Sequence, residues 1–167
     1  MKKYSGFTLL ELLIVVGLVA ILMAFGIPSI EAYIKNDRLT SQINTLVSHL
    51  AYARSEALVR RQQVILCASS NSTSCIGGWE DGWILFVDAD NSSGFTDGEP
   101  ILRVKQALSG NNTFTSTLGT SFIYDNRGFS AAGTGTFSLC DDRRVANLKS
   151  ISISNTGRVR RGGAVAC

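Results

Sequence analysis

The chain has a single histidine, His49, among its 167 residues. No serine or cysteine motif surrounds it, so nucleophilic and acid–base catalysis lack their usual parts. A Walker-type glycine loop for cradling phosphates is also missing. Zinc chemistry has no frame either, because Cys67 and Cys75 stand too far apart for paired Cys-x₂₋₄-Cys spacing. These absences point to a non-enzyme with no cofactor and no metal. Two further scarcities are positional. Glu11 carries the only formal charge in the 24 residues from Phe7 to Ile30. The last 25 residues, 143–167, contain no acid at all. No internal repeat is evident.

The charge-poor stretch is long enough to matter. A helix needs about 20 apolar residues to cross a bilayer core. Lys2 and Lys3 precede the run and should stay on the cytoplasmic side, which sends the rest outward. A cleavable secretory signal would have a shorter apolar core followed by a small-residue cleavage site. Here the small residue, Gly6, comes first. A plain anchor does not explain Glu11, whose burial costs about 2.5–3.5 kcal/mol on insertion scales. A cut between Gly6 and Phe7 would place a new α-amine four residues from Glu11. The two charges could then neutralise each other between neighbouring subunits.

Helical periodicity continues past Pro28. Leu39, Ile43, Leu46, Leu50, Ala53 and Ala57 form an apolar stripe on one face. Short β-rich runs follow at 64–68, 83–87, 101–104, 122–124, 136–140 and 150–154. The last of these alternates strictly, as a half-buried strand should. Asn155-Thr156-Gly157 then reads as a turn. An exported head sits in an oxidising compartment, so the four cysteines are expected to pair. Three connectivities are open. Cys67–Cys75, which closes a short polar loop, and Cys140–Cys167 are favoured.

Two clusters carry charge. Asp88, Asp90, Asp97 and Glu99 surround a loop that invites a calcium reading. Its glycine, Gly94, falls at position 7 rather than 6 of an EF-hand frame, so a solvated acidic hairpin is expected instead. The second cluster is basic. Residues 7–142 hold 8 basic and 13 acidic residues, whereas 143–167 hold six cations: Arg143, Arg144, Lys149, Arg158, Arg160 and Arg161. Such asymmetry points to an anionic partner. If extended, Arg158 and Arg160 project the same way. Guanidiniums grip phosphate oxygens bidentately. Gly157 keeps the neighbouring backbone open to close approach.

The segment from Gly6 through Phe7 and Glu11 to Val16 resembles the class III signal of type IV prepilins and type II secretion pseudopilins. The stretches 82–88, 97–104 and 136–140, with Thr156-Gly157-Arg158-Val159-Arg160, resemble the GspH/FimT family. The resemblance implies an α+β fold of the type IV pilin kind. A leader at 1–6 precedes a helix at 7–60, whose part 7–30 is transmembrane or filament core and whose remainder is amphipathic. That helix would pack on a β-rich antiparallel head at 61–167 with a basic C-terminal tail. Cleavage after Gly6 by a prepilin peptidase, N-methylation of Phe7 and an assembly role for Glu11 are implied. So are other major and minor pilins as partners. The location implied is the inner membrane with the head in the periplasm, then the extracellular pilus. Gly157-Arg158-Val159-Arg160 resembles the Gly-Arg-x-Arg motif of FimT-type minor pilins, which implies capture of double-stranded DNA for natural transformation. On that reading Arg158, Arg160, Arg161, Lys149, Arg143, Arg144 and Gly157 form the DNA-binding set. A FimU-type assembly primer and a GspH-type minor pseudopilin of a type II secretion system are the alternatives.

Overall fold

A computed structural model describes residues 6–143 and 148–163, and of residues 25–28 only the backbone. Among the described residues one α-helix, α1 (Leu9–Arg60), precedes eight strands. They are β1 (Gln63–Ala68), β2 (Gly82–Asp88), β3 (Ile101–Gln106), β4 (Thr113–Ser116), β5 (Ser121–Tyr124), β6 (Gly135–Cys140), β7 (Lys149–Ile153) and β8 (Val159–Arg161). The chain divides into two compact units, 1–37 and 38–167.

Local chemistry fixes where α1 begins and ends. Thr8 Oγ1 accepts the Glu11 backbone N–H at 3.3 Å, which satisfies one of the orphan donors of the first turn. Glu11 also sits where the helix dipole favours an anion. At the other end Arg61 takes a left-handed conformation, φ 56°, and the helix stops. In the first unit the apolar side chains from Leu9 to Met23 are exposed. An apolar surface of that extent needs lipid or other helices to cover it. The segment is long and apolar enough to cross a membrane.

The second unit contains the core. Leu39, Ile43, Leu46, Leu50, Ala53 and Ala57, the stripe read from the sequence, are all buried. They pack on two four-stranded antiparallel sheets, ordered β3-β2-β1-β5 and β4-β6-β7-β8. All seven residues of β2 are buried, because the first sheet is covered on both faces. Val64, Leu66, Trp83 and Leu85 join the helix-side core, while Ile65, Cys67, Ile84 and Phe86 pack with Phe95 and Ile123 on the other side. Two strands, β4 and β8, escape the sequence pattern. β4 is four residues with three hydroxyl side chains, and β8 is one valine followed by two arginines. The basic segment is therefore not a free tail as far as Arg161. It is the edge strand of the second sheet, paired to β7 with Ser152 opposite Arg160 and Ile153 opposite Val159.

Candidate functional site

Strand alternation sorts the cations on and beside β7 and β8. Val159 turns inward and packs on the core. Arg158 and Arg160 turn the other way and are exposed. Both line a shallow depression of about 620 Å³ on the outer face of the second sheet. Its other walls are mostly hydroxyls, Thr117, Thr134 and Thr136 on one side and Ser152, Ser154 and Thr156 on the other, with Gly135 and Ile153 between them. No acid and no aromatic ring lines it. Neither guanidinium has an ion-pair or hydrogen-bond partner among the described residues.

Arg161, Lys149 and Arg143 do not join this face. Arg161 lies on the opposite side of the sheet and donates to Asn44 Oδ1 of α1 at 3.1 Å. Lys149 shares that side, and the two line a separate depression of about 280 Å³ against α1. Arg143 is paired with the buried Asp141, its Nε 2.8 Å from Oδ2. Its charge is therefore answered locally, which removes it from the cationic field expected from sequence. Arg144 lies outside the described residues. Of the five described cations of this set, Arg158 and Arg160 alone share the open outer face.

Gly157 has a different task from the one its sequence position suggests. Its φ is +72°, and a Cβ there would stand 2.2 Å from the Gly128 carbonyl oxygen and 2.8 Å from Tyr124 Cε1. The buried Tyr124 hydroxyl donates to the Gly157 carbonyl at 3.1 Å. Burial pushes that phenol up to about 12, so it stays a donor at any physiological pH. Arg54 Nη2 of α1 donates to the neighbouring Thr156 carbonyl at 2.8 Å. The turn that launches β8 is thus clamped to β5 and to α1. Sequence reasoning missed Arg54 and Tyr124, because only the fold brings residues 33 and 102 positions apart into these contacts.

His49 is a structural acceptor. Trp83 Nε1 donates to its Nδ1 at 3.0 Å, which requires that nitrogen unprotonated. Burial, with Arg103 and Lys105 nearby, lowers its pKa below the usual 6.5. The acidic loop converges more than expected. Counted from Asp88, Glu99 stands twelfth, the place of the bidentate glutamate in an EF-hand loop. Ligand oxygens of Asp88, Asp90 and Glu99 lie within 4.8 Å of one another. Each of the six carboxylate oxygens nevertheless accepts a hydrogen bond from the loop. Asp88 takes Ser92 N–H and Ser93 N–H, Asp90 takes Ser92 N–H and the Thr96 hydroxyl, and Glu99 takes Ala89 N–H and Thr96 N–H. The loop closes on its own donors. Cys67 and Cys75 form a disulfide, with Cα atoms 5.5 Å apart. Cys140 is disulfide-bonded too, and Cys167, its expected partner, lies outside the described residues.

The family model for the type II transport protein GspH matches residues 42–157, and that for the prokaryotic N-terminal methylation motif matches residues 1–27. The prepilin peptidase-dependent protein D of Escherichia coli (strain K12) is 38% identical over 80 residues, 47% of each chain. The chain thus spans about half the length of that relative. A fimbrial protein of Pseudomonas aeruginosa is 30% identical over 121 residues, 72% of each chain. Among solved structures, the type IV minor pilin FimU of P. aeruginosa (strain PAO1) superposes with TM-score 0.61 at 20% identity, over 78% of this chain and 92% of that one. The minor pseudopilin EpsH of the Vibrio cholerae type 2 secretion system gives TM-score 0.55 at 9% identity, over 75% of this chain and 97% of that one. At such identities the superpositions speak for the fold, which is that of the type IV pilins. The family match spans more than two thirds of the sequence and a methylation motif precedes it, so the chain belongs to the GspH family.

Proposed function

We propose that this pilin binds double-stranded DNA through Arg158 and Arg160 for uptake in natural transformation. The observation that carries the reading is a pair of guanidiniums, without partners among the described residues, that share one acid-free depression. Strand side chains two apart are separated by about 6.6–6.8 Å, so the pair can engage two phosphates of one backbone. Without an aromatic platform, unpaired bases have nothing to stack on, which favours duplex over single strands. The contacts are phosphate-directed and carry no sequence information. Before assembly the chain spans the inner membrane once, with its head in the periplasm. A prepilin peptidase cuts after Gly6, Phe7 is N-methylated, and Glu11 pairs with a neighbouring subunit's N-terminal amine. Assembly then places the head outside the cell among other pilins.

A second reading has its own observation. β8 is a short edge strand, and charges on an edge are a common device against strand-to-strand aggregation. On that reading the arginines are protective, and the protein primes assembly as a FimU-type pilin or serves a secretion pseudopilus without touching DNA.

Gel-shift titrations of the full chain in neutral detergent separate the two. Wild type should bind duplex DNA of any sequence with Kd of roughly 10⁻⁴–10⁻⁶ M. Log affinity should fall by about 0.9 per phosphate contact per unit of log salt. Arg158→Gln with Arg160→Gln should flatten the slope by about two. In cells the double variant should lose transformation and keep its pili. Unchanged DNA binding, or loss of the pili themselves, gives the field to the second reading.

A further inference from the structure

Behind the two arginines the outer face of the second sheet carries a registered row of side chains. Thr136 of β6 stands opposite Ser152 of β7, and Ser152 stands opposite Arg160 of β8. Even-numbered residues of β6 and β7 point away from the core, since Phe137, Ile151 and Ile153 occupy the inner face. The hydroxyls of this face are not equivalent. Ser154 Oγ is engaged with Thr156 Oγ1 at 2.9 Å and with the Arg158 N–H at 3.3 Å. Thr117 Oγ1 accepts the Thr136 backbone N–H at 2.9 Å. Thr136 Oγ1 and Ser152 Oγ have no hydrogen-bond partner among the described residues. Gly163 packs against the row, where a Cβ would come within 3.2 Å of Thr136 Oγ1 and 3.5 Å of Ser152 Cβ.

We infer that Thr136 and Ser152 are phosphate ligands, forming with Arg160 a three-point cradle for one phosphodiester. The inference rests on the reading that Arg158 and Arg160 bind nucleic acid. Each part of the cradle supplies something different. The guanidinium brings charge and a fixed fork of donors. The hydroxyls bring neutral O–H donors that rotate to meet the remaining phosphate oxygens. Serine and threonine side chains commonly serve backbone phosphates in this way. Adjacent strands lie about 4.8 Å apart, so the three groups span roughly 10 Å across the sheet. Arg160 stands opposite Ser152, so a phosphate held by its guanidinium lies beside the Ser152 hydroxyl. Lipid headgroups share the phosphodiester chemistry. The flat, acid-free strand face, with no apolar side chain but Ile153 lining the depression, fits the nucleic acid source.

The cradle has a thermodynamic signature distinct from that of the arginines. Neutral donors release no counterions, so their removal lowers affinity without changing the salt slope. The experiment is fluorescence polarisation of a short labelled duplex with the full chain in neutral detergent micelles, from 50 to 200 mM salt. Thr136→Val with Ser152→Ala should weaken binding by about ten- to fiftyfold and leave the slope as in wild type. Thr136→Ser with Ser152→Thr keeps both hydroxyls and should bind within about threefold of wild type. A parallel arm dopes phosphatidylglycerol into the micelles as competitor, and it should displace duplex no better than its added charge requires. If the hydroxyl-free variant binds normally while Arg158→Gln/Arg160→Gln does not, the cradle is overturned and the DNA reading stands. If the hydroxyl-retaining variant loses as much as the hydroxyl-free one, packing rather than hydrogen bonding is at work, and the cradle is again overturned. If wild type ignores duplex, or binds phosphatidylglycerol with the same hydroxyl dependence instead, both the cradle for nucleic acid and the DNA reading fail.

Discussion

Replacing Gly157 by alanine tests whether the glycine ahead of the arginines is a ligand-facing residue or a packing device. Gly119 provides the control. Its φ is +76°, close to the +72° of Gly157, but a Cβ there meets nothing within 4 Å. Gly119→Ala should therefore cost only the left-handed conformational penalty, about 1–2 kcal/mol. Gly157→Ala bears the same penalty and adds a collision. Its Cβ would lie 2.2 Å from the Gly128 carbonyl oxygen, which is backbone and cannot rotate aside. Overpacking of this kind costs about 1–3 kcal/mol. Any shift that relieves it also disturbs the Tyr124 hydroxyl bond to the Gly157 carbonyl, worth about 1 kcal/mol net. The total comes to about 3–6 kcal/mol. Urea denaturation of the full chain in neutral detergent, followed by fluorescence of the buried Trp79 and Trp83, measures both variants. If Gly157→Ala falls within about 1 kcal/mol of Gly119→Ala, the clash argument is wrong and the turn is softer than its contacts imply.

Mass spectrometry of assembled filaments should find a mature chain beginning at N-methyl-Phe7, and a filament subunit still carrying residues 1–6 would contradict the processing reading. Glu11→Ala should insert in the membrane normally and assemble poorly, to be seen as a loss of surface filaments at unchanged membrane abundance. Lowering the pH from 7 to 5 should destabilise the head. The folded-state pKa of His49 lies below 6.5, so its contribution is complete above that value and fades as pH falls through the lower folded pKa. His49→Gln should shrink the difference between melts at the two pH values. Cys67→Ser with Cys75→Ser opens a loop with a sequence separation of 8 and should cost about 2.5 kcal/mol in the chain-entropy model, read by denaturation under non-reducing conditions.

Periodicity determined a large share of this molecule before any coordinates. The stripe from Leu39 to Ala57 needs only the 3.6-residue turn to be visible, and its buried face is what the structure shows. The N-terminal motif is legible for a similar reason, since a lone carboxylate in an apolar run stands out wherever it occurs. Alternation also located β7, whose isoleucines face the core while its serines do not. Short-range pattern failed where strands are stabilised by neighbours rather than by their own residues. Four residues of β4 and three of β8 have too little apolar content to signal a strand, and they persist because β6 and β7 supply the hydrogen-bonding partners. Charge counting likewise treated six cations as one field. Tertiary structure divided them, because β8 sends Arg160 and Arg161 to opposite faces and Asp141 answers Arg143. Sequence places charges along a line, and only the pairing of strands decides which of them share a surface.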